Sequence, residues 1–201
     1  DRCAARTRHM NTQKTTSRGF TLIETLVAIM LLSVAVLAPM SLASRSLSSA
    51  YYARDQITAF YLAQEAIEAL RSIRDGQILQ IAQGASTDIF GPILLNQDFT
   101  IDARLPDPAT AIVPCSLGSC PPLQTNGTLY GYGFCSGSNT SCNTHFTRTV
   151  RAKTVNTDTN GVPQEIRITV TVRWKTGSIQ ERTFTISENM YRWVEDGSSQ
   201  L

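Results

Sequence analysis

Two histidines and five cysteines in 201 residues leave little material for a histidine-rich metal centre. Charge is also scarce: 17% of residues carry it, and the signs nearly balance. Five of the 18 basic residues fall in residues 1–19 beside a single acid, so the remainder is slightly acidic. That excludes a strongly basic nucleic-acid-binding domain. The chain has no P-loop, no dinucleotide fingerprint, no Gly-x-Ser-x-Gly elbow and no metalloprotease histidine pair. The acids of the C-terminal part are scattered and form no acid/base pair. These absences speak against an enzyme and imply no cofactor and no metal. A hydrophobic content of 42% excludes wholesale disorder. The length suits one ordinary domain with an extension.

What is present falls into four zones. Residues 1–19 are polar and basic. Residues 1–9 precede the first methionine, Met10, and are read as foreign to a chain that starts there. Residues 20–43 are almost wholly apolar, with one charge, Glu24. Residues 44–75 contain neither Gly nor Pro. Residues 76–201 are rich in Thr, Gly, Pro, Asn and β-branched residues.

The second zone is long enough to cross a bilayer core as a helix, with Pro39 as a candidate kink. In the third, Ile57, Phe60, Ala63, Ile67, Leu70 and Ile73 recur at helical spacing and predict one apolar face. The pattern predicts a helix from Phe20 to about Arg74, stopped at Asp75-Gly76. Such a helix does not fit inside one small domain, so its first half needs lipid or other chains around it.

The fourth zone reads as β. Ile166, Ile168, Val170, Val172 and Trp174 alternate with Glu165, Arg167, Thr169, Thr171 and Arg173. Lys175 to Ser178 predicts a turn, and Ile179 to Ile186 a return strand. Phe146 to Val155 is a third strand, and Phe99 to Leu105 and Leu129 to Cys135 are weaker ones. The fold class is therefore α+β. A long N-terminal spine helix, membrane-spanning then amphipathic, packs on a C-terminal antiparallel sheet.

The string Arg18-Gly19-Phe20-Thr21-Leu22-Ile23-Glu24 carries the functional reading. A basic leader ends in Gly, Phe opens the apolar stretch, and the fifth residue after the Gly is Glu. This resembles the processing and methylation site of type IV prepilins and pseudopilins. The resemblance implies cleavage between Gly19 and Phe20 by a membrane prepilin peptidase, which also methylates the new Phe20 amine. It implies other pilin subunits as partners through the N-terminal helix. Its implied location is the bacterial cytoplasmic membrane, with residues 76–201 outside the cytoplasm, then a surface filament. In the family the acid equivalent to Glu24 pairs with the N-terminal amine of a neighbouring subunit.

Residue chemistry supports these roles independently. Gly19 lets a protease cleft approach the backbone. Arg18 and Lys14 hold the leader on the cytoplasmic side. An acid like Glu24 costs roughly 2.5–3.5 kcal/mol at mid-membrane, less near a helix end, so a cationic partner is expected. The Tyr61 to Asp75 stretch resembles low-abundance pilin-like subunits more than major pilins. Retained Glu24 argues against the tip-capping pseudopilin that lacks this acid. A pseudopilin of type II secretion is the alternative. Two plainer readings are a signal anchor and a secretory signal peptide with Ser41-Leu42-Ala43 before its cleavage point.

Cys3 lies in the leader zone. Cys115, Cys120, Cys135 and Cys142 form an even set in the part read as extracytoplasmic, so disulfides are expected, with three connectivities open. Neighbour pairing is favoured, because a bridge across Ser136 to Ser141 would staple a loop tip. Zinc, with His145 as a further ligand, is the alternative. Arg151, Lys153, Arg167, Arg173 and Lys175 suggest a basic sheet face that, with Trp174, Trp193 and Tyr191, would suit nucleic acid. Interleaved Glu165 and Glu181 favour an ordinary solvated face instead. Asn126-Gly127-Thr128 and Asn139-Thr140-Ser141 match the N-glycosylation triplet.

Overall fold

The computed structural model describes residues 19–116, 119–135, 142–176 and 180–192. The chain packs as two units, residues 1–48 and 49–201. Its elements run α1 (Leu22–Ala82), β1 (Asp98–Ile101), α2 (Pro108–Ala111), β2 (Ile112–Pro114), β3 (Pro122–Thr125), β4 (Tyr130–Gly131), β5 (Asn143–Thr157), β6 (Pro163–Trp174) and β7 (Arg182–Tyr191).

In the first unit the described residues are the opening of α1 and the three that precede it. Thr25 and Ser33 donate their hydroxyls to the carbonyls of Leu22 and Ile29. Hydroxyls satisfied by their own helix are compatible with apolar surroundings. Pro39 lies inside α1 without ending it. The large apolar side chains are all exposed, Leu31 at 67%.

In the second unit α1 turns one face to the sheet and buries Ala59, Leu62, Ala63, Ala66, Ile67 and Leu70. The expected stripe included Ile57 and Phe60, but these are 57% and 38% exposed. The contact face keeps Ala63, Ile67 and Leu70 of that stripe and adds Ala59, Leu62 and Ala66; the short alanine side chains let helix and sheet pack closely. The expected stop at Asp75-Gly76 is also passed. A Cβ at Gly76 would meet nothing within 4 Å, and Ile78 still packs on the core. The helix ends where Gly84 adopts φ +92°. There the Gly84 N–H reaches the Ile81 carbonyl and the Ala85 N–H the Gln80 carbonyl, both at 2.9 Å. This is the paired-bond arrangement by which a left-handed glycine closes a helix.

The sheet is antiparallel. β5 is central: β6 pairs along one edge, while β1 and β3 share the other. β2 extends β1, β4 extends β3, and β7 extends β6. Period-two alternation sends Ile166, Ile168, Val170, Val172 and Trp174 inward, joined by Phe146, Val150 and Ala152 from β5. Together with α1 they form the core.

Two expected strands are shorter than their sequences suggest. β1 ends at Ile101 because the next residue, Asp102, buries its carboxylate and binds the Arg104 N–H. The stretch from Leu129 to Cys135 keeps only β4. Its later N–H groups go to side chains: Tyr132 to Asp102, and Phe134 and Cys135 to Gln124. The return strand begins at Arg182 and runs past Ile186 to Tyr191. The turn at Gly177-Ser178 and its neighbour Ile179 lie outside the described residues.

Candidate processing and assembly site

Gly19, Phe20 and Thr21 precede the helix, and all three are exposed. The Gly19–Phe20 bond is thus non-helical, the condition under which a protease can bind a backbone in extended form. Arg18 and the rest of the leader, Lys14 and Met10 among them, lie outside the described residues. Thr21 is the residue on which the helix starts. Its Oγ1 accepts the Glu24 N–H at 3.3 Å, the first half of a Thr-x-x-Glu capping box.

Glu24 therefore has a purely local explanation: an acid in the first turn favours the helix dipole. The second half of a capping box, however, is missing. The Glu24 carboxylate makes no hydrogen bond or ion pair among the described residues. It stands exposed at the head of a helix whose apolar side chains are themselves uncovered. The capping spacing was readable from the sequence, and Thr21 is the residue that reading passed over.

In the second unit the four cysteines stand as Cys115–Cys120 and Cys135–Cys142, with Cα–Cα distances of 4.7 and 5.8 Å. These pairings leave no thiolate from the four for zinc. His145 sits elsewhere, stacked on Phe146 at 4.2 Å with its Nε2 3.4 Å from Asp55 Oδ2. Thr176 donates to the same Asp55 oxygen at 2.5 Å.

Arg151, Lys153, Arg167 and Arg173 do share the outer sheet face, with Thr149, Thr169 and Thr171 between them. Trp174 does not join them. It is on the inner face, 4% exposed, because it continues the alternation of Ile166 to Val172. Trp193 and the Asn139 triplet lie outside the described residues. Asn126 is at the β3–β4 turn, its Oδ1 accepting the N–H groups of Thr128 and Leu129.

The most buried ionic group is Arg148, 1% exposed on the inward face of β5. It donates to the Leu62 carbonyl at 2.9 Å, to Glu65 Oε2 at 2.7 Å and to the Ile101 carbonyl at 2.5 Å. One side chain thus joins α1, β1 and β5. Asp102, the residue after Ile101, is a second buried charged side chain. Burial pushes its carboxyl up, but hydrogen bonds from Arg104 and from the Tyr132 and Arg104 N–H groups outweigh that and hold its pKa below the usual value. Burial pushes the Tyr132 phenol up. Arg148 has the period-two parity of Phe146, Val150 and Ala152, yet a charged residue in a strand is ordinarily assigned to the solvent face, and Asp102 lies just beyond the end of β1.

Residues 14–38 match the family model described as the prokaryotic N-terminal methylation motif, the signature of type IV pilins and pseudopilins. No curated protein and no solved structure matches the chain. Helix α1, which begins within the motif, is by length and composition apolar enough to cross a membrane.

Proposed function

We propose that this chain is a minor structural subunit of a type IV pilus-like surface filament. Residues 1–19 are the leader, removed between Gly19 and Phe20, with methylation of the Phe20 amine. Residues 20–43 hold the subunit in the cytoplasmic membrane and then pack in the filament core. Residues 44–75 carry the helix onto the extracytoplasmic part, residues 76–201. The four paired cysteines suit an oxidising compartment outside the cytoplasm.

The observation that carries this reading is the methylation-motif match combined with an uncommitted Glu24 carboxylate. An acid in an apolar helix is expensive until a cation meets it. The amine of Phe20 on a neighbouring subunit supplies that cation at the moment lipid is exchanged for protein. Pairing then fixes the axial register between subunits. A structural role of this kind requires no catalytic group.

The same signature serves pseudopilins of type II secretion. The filament reading is tested by shearing filaments from cells that express the chain and quantifying it against the most abundant subunit. A small fixed ratio in the filament fraction, lost in Glu24→Ala, is expected. Recovery in the cell-envelope fraction, with a protein-secretion defect on deletion, would favour the secretion system and overturn the pilus assignment.

A further inference from the structure

β7 is ten residues long and pairs with β6 in unbroken register from Trp174↔Arg182 to Glu165↔Tyr191. Its other edge has no strand partner among the described residues. The remaining outer strands are blunted: β2 has three residues and includes Pro114, and β4 has two. β7 contains no Pro, no Lys and no register shift. A long edge strand without proline or register shift is a template for another strand.

The sequence of this edge specifies which strand. Arg182, Phe184, Ile186 and Glu188 point to the inner face, while Thr183, Thr185 and Ser187 point outward, as their β6 partners dictate. Consider a second β7 running antiparallel, with Thr185 opposite Thr185. Arg182 then faces the second copy's Glu188, Phe184 faces Ile186, and Thr183 faces Ser187. Across residues 182–188 every opposed pair is complementary in charge or polarity. Moving the centre to Ile186 would set Phe184 against Glu188, and moving it to Phe184 would set Arg182 against Ile186. A one-residue slip would oppose inner and outer faces.

The groups needed are available. Arg71 approaches Glu188 through Oε1 alone, from Nε at 2.9 Å and the terminal nitrogen at 2.5 Å. Oε2 remains open to a second guanidinium. Arg182 lies over the Tyr52 ring at 5.4 Å, and among the described residues its N–H groups have no acceptor. The inner side of the edge is open as well. A groove of about 770 Å³ runs beside Ile186 and Glu188, lined on α1 by Tyr61 and Leu62.

We infer that β7 is a self-recognition edge, which pairs with β7 of a second copy of this chain about a two-fold axis at Thr185. An axis relating antiparallel strands of one sheet is normal to that sheet. It therefore reverses the Ser49–Ala82 half of α1, which lies along the sheet. The contact joins copies pointing in opposite senses, such as subunits of two separate filaments, and not neighbours within one.

The test uses the full-length chain in nonionic detergent, followed by sedimentation velocity across a concentration series. A concentration-dependent dimer is expected. Thr185→Lys, at an exposed position, places two ammonium groups face to face and weakens association by about tenfold or more, with an unchanged circular dichroism spectrum. In a Cys3→Ser background, Thr185→Cys cross-links to itself on oxidation and Thr183→Cys does not. Peptide mapping locates the bond. A monomer at all concentrations overturns the inference. So does a dimer that Thr185→Lys leaves intact, or equal cross-linking at 183 and 185.

Discussion

Helix α1 contains two regions with the same backbone and opposite surroundings. Up to Ser48 its leucines and isoleucines are exposed on every side; Leu31 keeps 67% of its surface. Beyond Ser49 it buries a face, and Leu70 keeps none. The second region is held by tertiary packing, at roughly 25 cal/mol for each Å² of apolar surface removed from water. Among the described residues nothing packs on the first, which on the proposed reading is held by lipid or by other helices. The polar residues follow the same division. Arg148 in the packed unit meets three acceptors, whereas the Glu24 carboxylate has no partner among the described residues.

The comparison can be broken from either side. The largest effect is expected at the leader: Gly19→Val leaves the processing site without its close approach, and no mature chain accumulates. A mass measurement on the membrane fraction reads this directly. Next is Arg148→Met, which strands two buried carbonyls and Glu65 and lowers stability by about 3 kcal/mol or more in thermal or denaturant unfolding. Leu70→Ala costs about 2–5 kcal/mol through the cavity it leaves. Leu31→Ala changes the unfolding of the packed unit by less than about 0.5 kcal/mol but weakens retention in membranes.

Acid supplies a smaller, graded effect. The pKa of Asp102 is depressed in the folded state relative to the ordinary 3.8. Its contribution is therefore fully present above that value and is lost as pH falls through the lower folded value. The melting temperature should decline below about pH 4, and Asp102→Asn should flatten that part of the profile while lowering the neutral-pH value. The smallest effect is expected for Ile57→Ser, within about 0.5 kcal/mol, because Ile57 is outside the core.

That last substitution marks where sequence and structure diverge. Helical period located the helix, and strand period located the inner faces of β5 and β6, because burial there follows large apolar residues at regular spacing. Period placed Ala63, Ile67 and Leu70 on the contact face of α1, but also put Ile57 and Phe60 there, where Ala59 and Ala66 are the buried residues. It missed the helix end, since Gly76 sits helically and the closing glycine is Gly84. It overextended β1 and β4, where the side chains of Asp102 and Gln124 claim backbone N–H groups, a competition with no periodic signature. The methylation motif was legible because Gly19, Phe20 and Glu24 fall within six consecutive residues of one matched string. Thr21 belongs with them and has the capping spacing to show it.

On the proposed reading the apolar half of α1 begins at a processed end and is built for other helices. The most direct test is the intact mass and N-terminal sequence of the protein recovered from native membranes. The expected chain starts at an N-methylated Phe20. A start at Ser44 would make the apolar segment a removed signal peptide and contradict the account.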